Sequence, residues 1–417
     1  MRQKPTKTAR FFCLLALGIL LAAAQPAAAQ GISGLNYLGQ AVIPPYTIPA
    51  GPAGSVLGVP TWVGGLSGLA YDPSTGKFLA ISDDRSQIGP ARYYTLDINL
   101  TGNTLDASRV SFTGVTVLRD AAGATFAPLA IDAEGIARTA DGRVFIASEG
   151  DRSLGIQPFV NQFDAATGQQ VSALPVPSKF LVGNPNSGVN NNRSFESLTI
   201  TPSEKFLYTA NEIALVQDGP DATATNGSPS RILQFDLATG LAAKEFLYNV
   251  DPIAIPQIGP GPTFTSLAEL IALDDGHLLA LERSLTSSAL DAPFTIKLFE
   301  VSLDGATDIS GIQSLKESGL DGIVAARKTL LMDLSSLNIP LDNVEGMALG
   351  PTLANGNRSL ILVSDDNFFP NQSTQFIAFE VLSVPEPSSI VMLGLGSLVV
   401  AAARRRGALG RLLGVTN

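Results

Sequence analysis

The chain has 417 residues, a formal net charge of −10, 45% hydrophobic residues and one cysteine. Setting aside its two ends leaves roughly residues 31–383, with about two acids for every base, a field that repels nucleic acid and anionic membranes and attracts cations. With one thiol, no disulfide framework is available, and with His277 as the only histidine a histidine metal cluster is excluded.

Taken in chain order, Arg2, Lys4, Lys7 and Arg10 precede an apolar run from Phe11 to Ala24 and the small residues Ala27-Ala28-Ala29. This reads as a secretory signal peptide over residues 1–30, and Cys13, inside it, is lost on maturation. The segment Leu35 to Pro44 reads as an extended strand. From there one unit recurs five times: a leading polar residue and apolar strand, a turn, a second apolar strand, and a trailing charged cluster. The leading phrases are Ser67-Gly-Leu-Ala, Glu134-Gly-Ile-Ala, Glu196-Ser-Leu-Thr, Glu269-Leu-Ile-Ala and Glu345-Gly-Met-Ala. The trailing clusters are Asp83/Asp84/Arg85, Glu149/Asp151, Asn211/Glu212, Glu282/Arg283 and Asp365/Asp366.

Each unit supplies two further strands. They are Tyr93–Ile98 with Val110–Leu118, Val160–Phe163 with Gln170–Leu174, Arg231–Asp236 with Lys244–Asn249, and Lys297–Leu303 with Lys328–Leu334. After the fifth cluster only Gln375–Leu382 remains, so the last unit is one strand short. A long period made of strands predicts radial repetition. The expected fold is an all-β propeller of four-stranded blades, five in number and closed by the N-terminal strand. The count becomes six if a degenerate blade lies within 97–131 or 304–335. One short surface helix is expected within 309–328, and loops over 183–193 and 217–230.

If the opening strand of each blade lines the central channel, Glu134, Glu196, Glu269 and Glu345 converge on one axis. Like charges so placed cannot all stay ionised without a cation or arginines. Calcium suits such a set, taking several oxygen ligands in flexible geometry. The expected ligands are these four with Asp83 and Asp365, while Arg85 and Arg283 would hold an anionic substrate. Repeated acids also have a structural use, capping loop amides or pairing with arginines, and both uses stay open here. There is no Gly-x-Ser-x-Gly elbow, P-loop or dinucleotide fingerprint.

The phrases Gly65-Leu-Ser-Gly-Leu-Ala-Tyr-Asp72, Ser82-Asp-Asp-Arg85 and Asn343-Val-Glu-Gly-Met347 resemble the family called esterase-like activity of phytase, from about Trp62 to Val381. The resemblance implies a propeller that hydrolyses phosphate esters, with calcium held by channel acids. A dense Lys/Arg phosphate cradle is absent from this sequence. The end Val384-Pro-Glu-Pro387, an apolar stretch through Ala403 and Arg404-Arg-Arg406 resembles the PEP-CTERM sorting signal, followed by a tail, 407–417, expected to be cytoplasmic. That signal implies recognition by an exosortase, transient inner-membrane anchoring and release to the cell surface or beyond. Two functions fit: an exported calcium-assisted phosphoesterase acting on a phosphorylated small molecule, or a non-catalytic matrix propeller binding exopolysaccharide or another protein.

Overall fold

A computed structural model describes residues 31–255, 262–286 and 294–383. Residues 32–383 form one compact unit; the expected signal peptide, the sorting segment and the tail lie outside the described residues. Among the described residues no helix is long and apolar enough to cross a membrane.

After β1 (Ile32–Ile43) and a small hairpin, β2 (Ser55–Val56) with β3 (Val59–Pro60), the chain builds five antiparallel sheets of four strands. Blade one is β4 (Leu66–Asp72), β5 (Lys77–Ser82), β6 (Arg92–Ile98) and β7 (Val110–Val117). Blade two is β8 (Ala133–Arg138), β9 (Arg143–Ser148), β10 (Phe159–Asp164) and β11 (Gln170–Leu174). Blade three is β12 (Phe195–Ile200), β13 (Phe206–Asn211), β14 (Ser228–Asp236) and β15 (Leu241–Val250). Blade four is β16 (Thr263–Ala272), β17 (His277–Thr286), β18 (Phe294–Ser302) and β19 (Arg327–Asp333).

Blade five is β20 (Asn343–Thr352), β21 (Arg358–Asp365) and β22 (Thr374–Ser383), completed by β1. The closing strand runs antiparallel to β22 from Ile32 opposite Ser383 to Ile43 opposite Thr374, which covers the edge of β22 and supplies the fourth strand of the blade. The five-blade count and the closing strand thus match the sequence reading. The expected helix over 309–328 is reduced to a single turn, Leu315–Ser318, capped by the Ser314 side chain, whose oxygen accepts from the Glu317 amide.

The second strands are continuous apolar runs because both of their faces are covered. Along β5, Phe78 and Ala80 enter the layer shared with blade five, while Leu79 and Ile81 enter the layer shared with blade two. Along β21, Ile361 and Val363 face blade one and Leu360 and Leu362 face blade four. Each neighbouring pair of blades encloses one such layer. At the axis the inner strands approach too closely for side chains. A Cβ on Gly68 would lie 2.5 Å from the Glu134 carbonyl, one on Gly135 2.9 Å from the Leu198 amide, and one on Gly346 2.6 Å from the Ser67 carbonyl. The glycine of the Glu-Gly phrase is therefore demanded by neighbour packing.

Candidate functional site

The inner strand of every blade meets its partner through a β-bulge, an extra residue left out of the ladder and turned toward the axis. In blades one, three and five that residue is Ser67, Glu196 and Glu345, and in blade two the bulge takes in Glu134 and Gly135. In blade four it is Ala268, because Leu267 pairs with Glu282 and Glu269 with Leu281. Blade four is thus one residue out of step with its sequence alignment. Glu269 stands where the other blades carry Gly68, Ser197 and Gly346, and Arg283 stands where they carry Asp83, Glu149, Glu212 and Asp365.

A cavity of about 400 Å³ opens at this end of the ring, lined by Asp83, Asp132, Glu134, Glu196, Glu212, Glu345 and Asp365 with Arg85, Arg193 and Arg283. Glu149 lies just beneath, 2% exposed. Carboxylate oxygens of Asp132, Glu134 and Glu149 lie within 4.8 Å of one another, as do those of Glu149, Glu196 and Glu212. Glu149 therefore belongs to both groups. A cavity of about 540 Å³ at the other end of the channel has no carboxylate in its lining and offers no comparable chemistry.

Neutralisation inside the acidic cavity is incomplete. Arg283 donates to Glu212 at 2.6 Å and to the Asn343 side-chain oxygen Oδ1 at 2.7 Å, and it also pairs with Glu345. Arg85 reaches Asp151 at 2.7 Å and Asp132 at 3.4 Å. Among the described residues no base lies within 4 Å of Asp83, Glu134, Glu149, Glu196 or Asp365. In blade three, by contrast, the buried Arg231 and Lys179 are matched by Asp218 and Glu245.

The consequence is written in the acids themselves. Burial and then the neighbouring carboxylates push Glu134 up to about 8. Burial foremost lifts Asp132 to about 7, against the pull of Arg85. Burial also lifts Asp365 to about 7, with Asp366 and Glu134 adding to it and the Asn367 amide opposing. Glu149, Glu196 and Asp83 are raised well above the carboxylate range by burial and then by like charges. Without a cation the cluster must hold protons. Oxygen-only donors, with one oxygen of Asp83 buried and unpartnered, fit a hard divalent cation such as calcium.

Five of the six expected site acids, Asp83, Glu134, Glu196, Glu345 and Asp365, therefore share one cavity with Arg85 and Arg283. Glu269 does not join them. It is 2% exposed at the waist of the channel, accepting from the amides of Leu270 at 2.9 Å and Leu198 at 3.2 Å. Burial pushes its pKa well up, and the Leu270, Leu198 and Met347 amides hold it back. It clasps inner strands across the axis. Replacing Glu269 with alanine is expected to cost about 1–3 kcal/mol, since buried amides lose their acceptor. A urea midpoint measured at unchanged slope checks this; a variant as stable as the parent would dismiss the clasp.

Of the pairs Asp83/Asp84 and Asp365/Asp366 only the first acid lines the cavity. Asp84 binds Arg92 at 2.6 Å and caps the Gln87 and Gly89 amides, and Asp366 accepts from Gly65 and Phe368. Glu282 is taken up by Tyr248, the Asp251 amide and Lys328. Arg152 holds the 183–193 loop by donating to the Asn184, Pro185, Ser187 and Val189 carbonyls. Asp132 and Asn343 were not anticipated as site residues. Asn343 donates to Glu345 at 2.9 Å and to Asp365 at 3.2 Å. The available signal was their shared place two residues before a leading glutamate.

Residues 61–368 match the family model described as esterase-like activity of phytase, and residues 383–406 match the PEP-CTERM protein-sorting motif. No curated protein matches the chain significantly. Similar solved structures include an endo-arabinase from Bacteroides thetaiotaomicron (TM-score 0.42, 11% identity, 78% of this chain and 96% of that one). Another is a glycosyl hydrolase from Bacteroides ovatus (0.40, 11%, 87% and 99%). A third is the calcium-binding regucalcin from Agrobacterium tumefaciens (0.35, 11%, 84% and 99%). Likeness at this level carries no argument about chemistry.

Proposed function

We propose, from the premise that this chain belongs to the phytase-like family described as esterase-like activity of phytase, that it is an exported hydrolase of phosphate esters assisted by a divalent cation. The supporting observation is the buried, under-neutralised ring of acids at one end of the channel. Asp132, Glu134, Glu149, Glu196 and Glu212 would hold the cation, with Glu345 and Asp83 completing the acidic wall. Calcium there would polarise the phosphoryl group and lower the pKa of an attacking water.

The chain's own groups supply the rest. Arg283, fixed by Glu212 and Asn343, and Arg85, fixed by Asp151, present N–H groups to the non-reacting phosphoryl oxygens. Asp365, held by Asn343 and the Asn367 amide and raised to about 7, is matched to take the proton that the water loses. As the water oxygen joins phosphorus the P–O bond to the alcohol breaks, and the departing oxygen takes the proton that Asp365 received, by way of solvent, giving alcohol and inorganic phosphate. The sorting motif at residues 383–406 supports export and recognition by an exosortase.

The test is phosphate release by the purified full chain from aryl and alkyl phosphates, with calcium and then with chelator. Turnover that vanishes with chelator is expected. No turnover in either condition overturns the hydrolase and leaves a propeller that binds an extracellular partner.

A further inference from the structure

Apolar residues line the same cavity as the acids. Blade four's β16 and β17 extend four residues beyond the register at which the ladders of blades one to three end, about 13 Å of extra sheet, and three beyond that of blade five. On this extension Phe264 pairs with Leu285, and Leu285 with Phe294, so three apolar side chains follow one another across the sheet. All three line the cavity. Phe264 lies 5.2 Å from the guanidinium of Arg193 and 5.2 Å from that of Arg283, which brings its ring beside the groups that would grip a phosphoryl oxygen.

Phe369, though 56% exposed, also lines the cavity, from the loop after β21. Its loop is pinned: Asp366 accepts from the Gly65 amide at 2.9 Å and the Phe368 amide at 3.1 Å, and the Phe369 amide donates to the Asp366 carbonyl at 2.8 Å. Asn367 and Phe368 are held at φ 47° and 54°, a strained setting for a bulky residue that surrounding contacts must maintain. A lone exposed phenylalanine needs no explanation. One presented by a strained, pinned loop in the lining of an acidic cavity that also holds an apolar strip is a contact surface for a ligand.

Charge points the same way. Arg85, Arg193 and Arg283 are already paired with Asp151, Asp221 and Glu212, and among the described residues no lysine lines the cavity. A ligand carrying many phosphates would place its outer charges against phenylalanines and carboxylates. We infer that the site takes phosphate monoesters of apolar, aryl-like alcohols, whose ring packs on Phe369 and the blade-four strip, and that inositol polyphosphates are poor substrates. The inference rests on the phosphate-ester reading above.

The experiment compares 1-naphthyl phosphate, glycerol phosphate and phytate as substrates of the full chain with calcium, for the parent and for Phe369→Ala. In parallel, binding of non-hydrolysable 1-naphthylphosphonate is followed by calorimetry. We expect kcat/KM at least about tenfold higher for the naphthyl ester than for the other two. In Phe369→Ala the naphthyl KM should rise about tenfold and the glycerol phosphate KM less than twofold, the scale of one lost aromatic contact. Faster turnover of phytate, or equal KM changes for both monoesters, overturns the inference. If no ester is hydrolysed but phosphonate binding weakens in Phe369→Ala, the hydrolase reading falls and the aryl subsite stands. Phosphonate binding that is absent, or indifferent to Phe369, removes the subsite.

Discussion

Glutamine in place of Glu134 or Glu196 is expected to lower phosphate release on the order of a hundredfold or more and to weaken calcium binding in parallel. The same variants should melt at a higher temperature than the parent when the cation is chelated. Each acid is at least nine-tenths buried with no base within 4 Å among the described residues, so without a cation the fold must hold it protonated at a pH where the unfolded chain ionises it, which costs stability. Glutamine keeps the shape and removes that cost. A residue retained at the expense of stability is the signature of a functional site. Glu269→Ala should behave in the opposite way, losing stability because amides depend on it. Scanning calorimetry in chelator, run beside the activity assay, separates the two classes. Melting below the parent for both Glu134→Gln and Glu196→Gln would mean that these acids are structural.

Raising the pH should destabilise the chelated protein, and calcium should reverse the loss. Glu134 at about 8, and Asp132 and Asp365 at about 7, stand far above the roughly 4 of an unfolded carboxyl. Between about pH 4 and pH 8 the native state therefore binds more protons than the unfolded chain. Stability is greatest at the acid end of that window and falls as pH rises through it, by up to about 1.4 kcal/mol per pH unit for each group titrating. Calcium competes for the same oxygens, so its affinity should climb over the same range. At a hundred times its dissociation constant it would return about 2.7 kcal/mol. Melting curves from pH 5 to 9, with chelator and with calcium, carry the test. A chelated protein equally stable at pH 5 and pH 8 would show that the cluster is neutralised by other means.

Much of the architecture was legible in the chain. The runs Phe78–Ile81 and Leu360–Val363 are apolar at every position, and only a strand packed on both faces requires that. The unfinished last unit and the unclaimed segment near Leu35 to Pro44 together implied the closure that β1 makes with β22. Glycine after the leading acid marked the tight approach of inner strands. The site was legible less completely. Asp83 and Asp365 were separable from Asp84 and Asp366 only once the loops capped by the second acid of each pair were seen. The apolar strip of Phe264, Leu285 and Phe294 is scattered over three strands and becomes contiguous only through cross-strand pairing.

Sequence by itself determined the repeated strand unit, the ring closure and the acidity of the channel, because burial on two faces and contact between backbones restrict which residues can stand at those places. Tertiary structure alone decided which acids meet. In blade four the bulge falls at Ala268 rather than at the aligned glutamate, and a shift of one residue in a strand changes where every side chain points. That slip takes Glu269 out of the acidic cavity to clasp the waist of the channel, and it sets Arg283 among the carboxylates of the other four blades.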